Sequence, residues 1–366
     1  MRIGFDCAKL VKGTGKSIGI YNITKSVVTG LAKQISKEHE LIVIGNEYNR
    51  SDFDVEGITF VCADVNVNSK KALLMWELIG VNRYIRKLKL DEIVFPRGFN
   101  SMFCPVQDVI IVHDLIPFFY NERFPGVLNR LENMYIMMRL KSSIRTAKKI
   151  ITISEYSKQD IIKRVPKVKD KIDVILHGFD VRNTGELDET KPEHDYFIGI
   201  ASNLPHKNAV GIINAYKQYY RMTDTPLDLV LAGVKSMEAL KVDIEPEIME
   251  HISCKKYLDD KEYYSLFKKA KGLVFLSLIE GFGLPPLEAM ELGVPVICSD
   301  RTSLPEVVKE AGILVDPENY PMVAKAMCKV ATDEKLSAEL VARGFENLKD
   351  FHWEDRIKEY AEVLCR

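Results

Sequence analysis

The stretch KGLVFLSLIEGFGLPPLEAMELGVPVICSD, residues 271–300, passes from an apolar run through a glycine-containing loop into a helix and back to an apolar run. Residues Leu273 to Leu278 are apolar but for Ser277 and lie between Lys271 and Glu280, the pattern of a strand buried on both faces. Pro285 and Pro286 suit the first positions of a helix, where a missing N–H costs nothing, and Gly293 suits its end. Strand, loop, helix and strand in that order are the unit of a parallel sheet covered by helices. Gly281 and Gly283 let the backbone approach a ligand closely. Behind them the helix N-terminus offers free N–H groups and a positive dipole end to an anion, so this is a place for a phosphate. Glu280 and Glu288 bracket the loop.

Working outward, the same alternation fills the chain. RIGFD, ELIVIG, GITFVCA, EIVFP, DVIIVHD, KIITIS and IDVIL read as buried strands in the first half, separated by helical segments. A polar stretch at 183–195 fits a linker or exposed loop. YFIGIAS, LDLVLAG, KGLVFLS, VPVICSD and GILVDP then restart the pattern, with helices expected around 207–220, 261–270, 286–292 and 321–348. At 366 residues the chain exceeds one ordinary core, and two doubly wound α/β domains are expected, facing each other across a cleft with the carboxyl ends of both sheets toward one site.

Composition excludes several classes. With 46% hydrophobic and 28% charged residues this is a globular chain without low-complexity tracts. The seven cysteines are scattered without a C-x-x-C pair, favouring neither a disulfide framework nor a zinc site. No cluster at metal-ligand spacing stands out, so no metal and no resident cofactor are expected. The net charge of −1 hides an asymmetry: residues 1–180 hold 28 Lys+Arg against 20 Asp+Glu, and the remainder 23 against 32. A basic half can meet an anionic partner such as a membrane surface, whereas nucleic acid is not indicated, because no basic run interleaves with aromatics. The opening MRIGFDCAKL has the pattern of neither a signal peptide nor a spanning helix, and the expected location is cytoplasmic. GTGKS, at 13–17, imitates a phosphate loop, but Leu10 holds the place of that pattern's leading glycine. It reads as a glycine-rich turn between strand and helix, its ligand undecided.

The E-x7-E spacing of EGFGLPPLE, followed by EAM-x-x-G-x-PV, resembles the signature of retaining glycosyltransferases of family four, which have the two-domain GT-B fold. GIASNLPHKN (199–208) and SLPEVVKEAGILVDPEN (303–319) resemble segments of that family's nucleotide-binding domain. VHDLIPFFYNERFP and ITISEYSKQDI resemble its acceptor-domain segments, and the tail FHWEDRIKEYAEVL resembles its last helix, which crosses back. The resemblance implies an acceptor-side domain at 1–180, a nucleotide-sugar domain at 181–348 and a crossing helix at 349–366. SIGIYNIT fits the family's G-x-G-R-Y register with Gly19 and Tyr21 in place and Ile20 where arginine is usual, leaving GTGKS as the loop before it.

By the same resemblance Glu288 accepts hydrogen bonds from ribose hydroxyls and Glu280 lies near the transferred sugar. Backbone N–H groups of Phe282, Gly283 and Leu284 hold sugar hydroxyls and diphosphate, and Gly19 lets the backbone lie against the donor. Lys207 neutralises the diphosphate, the charge the reaction leaves on the departing group. Ala201 and Ser202 stand where many members carry an arginine, and His206 where another is common, so the phosphate clamp is thinner than usual; Ser202 and His206 complete the donor-binding set. His113 falls at the carboxyl end of a strand, near the sugar, and Asp114 holds its loop. The implied reaction has no protein nucleophile: attack comes from the face the leaving group departs, with a diphosphate oxygen as base. Mannose from GDP-mannose is the first choice of donor, UDP-sugars the competitors, and a glycan or lipid-linked saccharide the acceptor. A sugar-nucleotide epimerase and a non-catalytic nucleotide-sugar-binding protein are the alternatives. The helical segment VLNRLENMYIMMRLKSSIRTAKK either faces a membrane or, as expected here, packs on the first sheet.

Overall fold

The structure is a computed structural model that describes residues 1–11, 18–35, 38–179, 187–188, 190–256 and 258–366. The chain forms two units, one of Met1–Gly178 with His352–Arg366 and one of Phe179–Phe351.

The first unit is built on seven parallel strands: β1 (Arg2–Asp6), β2 (Glu40–Gly45), β3 (Ile58–Cys62), β4 (Glu92–Phe95), β5 (Gln107–Val112), β6 (Lys149–Thr152) and β7 (Ile172–Val174). They lie in the order β3-β2-β1-β4-β5-β6-β7. Continuous apolar runs are required because both faces are covered. In β2 and β5 successive residues alternate sides: Leu41, Val43, Val109 and Ile111 enter one core, Ile42, Ile44, Ile110 and Val112 the other. Helices Ile18–Ile35 and Trp353–Leu364 close the first core, with Val27, Leu31, Tyr360 and Leu364 buried in it. They pass so closely that a Cβ on Gly30 would lie 2.6 Å from Ile357. Leu140 and Ile144, from helix Arg130–Thr146, help close the second core.

The second unit has six parallel strands: β8 (Tyr196–Ile200), β9 (Asp228–Ala232), β10 (Ile252–Lys255), β11 (Gly272–Phe275), β12 (Val296–Ser299) and β13 (Gly312–Val315), ordered β10-β9-β8-β11-β12-β13. Phe197, Leu229, Val274 and Ile297 pack beneath Ile212 and Tyr216 of helix Ala209–Tyr220 and Val323 and Met327 of helix Tyr320–Thr332. Each such side chain removed from water contributes roughly 1.5–3 kcal/mol, which offsets the cost of ordering the chain.

Three expectations need correction. The helix expected at 321–348 is two, Tyr320–Thr332 and Glu334–Leu348: the Asp333 carboxylate accepts from the N–H of Leu336 at 2.9 Å and starts the second, as short acidic side chains do. Strand β10 was not foreseen, because ISCK alternates its polarity over only four residues at the sheet edge. The strand expected from Leu273 to Leu278 ends at Phe275, and Leu276–Leu278 already belong to the loop that shapes the site.

Candidate active site

In a doubly wound sheet, loops that leave neighbouring strands in opposite directions open a crevice at the strands' carboxyl ends. In the second unit the order reverses between β8 and β11, and the loops after these two strands carry Lys207 and Glu280. The loop after β8 turns through the short 3-10 helix Pro205–Lys207 into Asn208, at φ 54°. Asn208 is the pivot. Its Oδ1 accepts from the N–H of Gly211 at 3.1 Å, capping helix Ala209–Tyr220, while its Nδ2 donates to the carbonyls of Leu276 at 3.0 Å and Pro317 at 3.2 Å. The N–H of Leu278 donates to the carbonyl of His206 at 2.8 Å. These bonds stitch the two loops together, and the result is an ion pair: Lys207 Nζ lies 2.7 Å from Glu280 Oε1, with the ammonium 6.0 Å from the centre of the Phe275 ring. A cation beside a helix N-terminus is unfavourable by itself, and the Glu280 carboxylate offsets it.

The loop from Glu280 to Leu284 is held from behind. The N–H of Glu280 donates to Thr302 Oγ1 at 3.1 Å, and the Ser303 hydroxyl lies 2.7 Å from the carbonyl oxygen of Phe282. Phe282 is buried, its ring edge-on to Phe351. Gly283 has φ 126°, which strains any other residue, and a Cβ there would stand 2.6 Å from Leu304 Cδ2. Helix Leu284–Glu291 then begins with no side-chain cap. Because Pro285 and Pro286 have no N–H, the orphan donors of this first turn reduce to those of Gly283 and Leu284. The prolines thereby concentrate the anion-binding capacity on two amides.

Glu288 lies one turn into that helix, half-buried. Its two carboxylate oxygens accept from Tyr263 at 2.8 Å and Tyr264 at 3.1 Å, neighbours on helix Asp260–Lys268. These tyrosines escaped the sequence reading, and the adjacent pair Tyr263-Tyr264 in the first half of a charged helix was the signal for them. Ser202 accepts from the N–H of Leu204 at 3.2 Å and shapes the turn. His206 is buried, and burial, with Lys207 beside it, pushes its imidazole down to about 4. It is neutral at neutral pH and cannot stand in for an arginine as a charge.

In the first unit the order reverses between β1 and β4. A cavity of about 650 Å³ opens there, lined by Lys9, Arg97, Gly98 and His113 among others. His113 Nε2 lies 2.9 Å from the carbonyl of Pro96, and since a carbonyl only accepts, this nitrogen carries the proton and Nδ1 is the acceptor. Burial pushes the ring down to about 4. Asp114 accepts from the N–H of Ile116 at 3.0 Å and fixes the turn after β5. Gly19 is the second residue of helix Ile18–Ile35, exposed, with open space where a Cβ would be. Tyr21 is buried and donates to Asp52 at 2.7 Å, with Lys25 2.6 Å from the same carboxylate, so it locks its helix to the 50–53 segment. Asp52-Phe53-Asp54 is formally a D-x-D triplet, and these bonds account for Asp52 structurally. Among the described residues no group of three His, Cys, Asp or Glu side chains could hold a metal ion. Gly13, Gly15 and the rest of GTGKS lie outside the described residues.

The two sheets and their switch-point loops define the GT-B class, and solved structures agree. The HepE protein of Anabaena, in complex with UDP-glucose, superposes with a TM-score of 0.69 over 100% of this chain and 99% of that one at 17% identity. The profile for glycosyl transferases group 1 matches residues 186–347, and that for glycosyltransferase family 4 matches residues 24–183, together most of the chain. The chain belongs to glycosyltransferase family four. Among its relatives are O-antigen chain mannosyltransferase B of Escherichia coli, 30% identical over 60% of this chain and 61% of the relative, and O-antigen chain mannosyltransferase RfbU of Salmonella typhimurium, 29% identical over 58% of each. The chain thus aligns with somewhat under two thirds of these relatives' own length. Among the described residues no helix is long and apolar enough to cross a membrane.

Proposed function

We propose that this protein transfers a hexose with retention of configuration, mannose from GDP-mannose in the first instance, to a glycan or lipid-linked saccharide. The observation that carries the reading is the Lys207–Glu280 pair beside the two orphan amides of Gly283 and Leu284 at the switch point of the second sheet. Departure of a nucleoside diphosphate needs positive charge aimed at the leaving oxygens, and Lys207 with these amides supplies it without a metal ion. On binding, the diphosphate draws Lys207 off Glu280, whose carboxylate then accepts from hydroxyls of the sugar. Glu288, steadied by Tyr263 and Tyr264, accepts from the ribose. The bond from the anomeric carbon to the diphosphate oxygen breaks as the acceptor oxygen bonds on the same face, and the acceptor's proton passes to the departing diphosphate. No side chain serves as nucleophile. His113, neutral and with Nδ1 as acceptor, binds a hydroxyl of substrate in the first unit.

Mannose is favoured because the O-antigen relatives are named mannosyltransferases, while HepE with UDP-glucose makes a UDP-sugar the second choice. An epimerase would need acid and base carboxylates around the sugar, which Glu280 tied to Lys207 does not provide. Contact with a membrane is part of the proposal. Helix Arg130–Thr146 buries Leu140, Ser143 and Ile144 yet exposes Leu131, Met134 and Met138, a row at helical spacing that Lys141 and Arg145 continue. The expected packing on the sheet thus describes one face only. The test is a panel of nucleotide sugars, dialysed against chelator, with product stereochemistry read by NMR. GDP-mannose turning over to an α-mannoside is expected; inversion, or dependence on added metal, would overturn the mechanism.

A further inference from the structure

Residues 302–304 follow β12 and back onto the loop that carries the Gly283 and Leu284 amides, and two of them depart from local preference to reach it. Thr302 has φ 59°, in the left-handed region that a β-branched residue adopts only under strain. Its Oγ1 accepts from the N–H of Glu280 at 3.1 Å. Ser303 stands at the N-cap of helix Leu304–Val308, where a serine ordinarily accepts from an N–H of its own helix, yet it makes no such bond. Its hydroxyl, fully buried, turns to the loop instead and is shared between the carbonyls of Phe282 at 2.7 Å and Glu280 at 3.0 Å. A trans peptide group is planar, so its C=O and N–H point to opposite sides. Tying the Phe282 carbonyl to Ser303 therefore turns the N–H of Gly283 away from Ser303, and tying the Glu280 carbonyl does the same for Gly281. Two adjacent residues thus give up local stability, one in backbone conformation and one in capping, to orient the backbone of a distant segment, which is the pattern of a functional constraint.

We propose that Ser303 and Thr302 are positioning residues for the transfer: their hydroxyls set the peptide planes of the 280–283 loop, so that the Gly283 amide is aimed at the leaving diphosphate before the donor arrives. The proposal rests on the donor reading above and assigns the groups that preorganise it. Wild type, Ser303→Ala, Thr302→Val and Thr302→Ser are titrated by calorimetry with GDP and guanosine, and with UDP and uridine. A nucleoside has no phosphate to meet the amide, so its affinity registers any general disturbance of the fold. The diphosphate that binds wild type should weaken about 10-fold in Ser303→Ala and fall in the same direction in Thr302→Val, with its nucleoside unchanged. Thr302→Ser, which keeps the hydroxyl, should match wild type. Unchanged diphosphate affinity in one of the two hydroxyl-free variants removes that residue's assignment, and in both it overturns the proposal, as does a loss of nucleoside affinity in step with the diphosphate. Should Ser303→Ala not fold, Thr302→Val against Thr302→Ser decides. Binding of neither diphosphate to wild type would instead remove the donor reading itself, and the proposal with it.

Discussion

His206 and Lys207 are neighbours in one short turn with opposite electrostatic roles. Lys207 is paired with Glu280, whereas His206 is buried and shifted down to about 4 from 6.5. The unfolded chain therefore takes up the histidine proton first as pH falls. The contribution is complete above about 6.5 and is lost as pH falls toward 4, with a magnitude of about 3 kcal/mol. Asp6 runs the other way: raised to about 6 from 3.8, it contributes below the ordinary carboxylate range and loses that contribution as pH rises to 6. The clean reading is thus a difference. Denaturant unfolding of wild type and His206→Gln at pH 7 and pH 4 should show wild type losing more stability than the variant, and equal losses would refute the buried neutral imidazole. The sequence constrains a backbone where a motif demands glycine, as at Gly283 with its positive φ. It is silent where a side chain's value depends on what lies opposite. Nothing in Tyr263 announces a partner at Glu288, because that contact joins separate elements of the chain.

At the scale of elements, strands buried on both faces were legible as apolar runs, and β2 and β5 divide their residues between two cores as their period requires. Boundaries depended on capping that composition does not show: Asp333 divides one amphipathic stretch into two helices, and Asn208 starts another from the left-handed region. Helix Arg130–Thr146 was ambiguous in sequence because both its faces carry apolar residues. Leu131 is 72% exposed and Met138 56%, more than a helix used only for packing requires. Against vesicles containing phosphatidylglycerol, wild type should co-sediment, and Leu131→Glu with Met138→Glu should weaken binding at least about 10-fold, from lost apolar contact and added repulsion. Indifference of vesicle binding to both changes would place the contact elsewhere.

For the whole molecule, both units repeat one solution: a doubly wound parallel sheet whose order reverses once, with charged side chains on the two loops that part there. In the second unit those loops bring Lys207 to Glu280, and in the first they bring Arg97 to Lys9. The alternation of strand and helix made this architecture readable from sequence, since parallel strands need crossovers and covered faces. Which loops meet follows from strand order, which no local pattern encodes. The most direct measurement is a crystal structure of the GDP complex. The diphosphate should lie within hydrogen-bond distance of the Gly283 and Leu284 amides and of Lys207 Nζ, with Glu280 released from the lysine. A diphosphate bound away from these atoms, with the Lys207–Glu280 pair intact, would contradict the account.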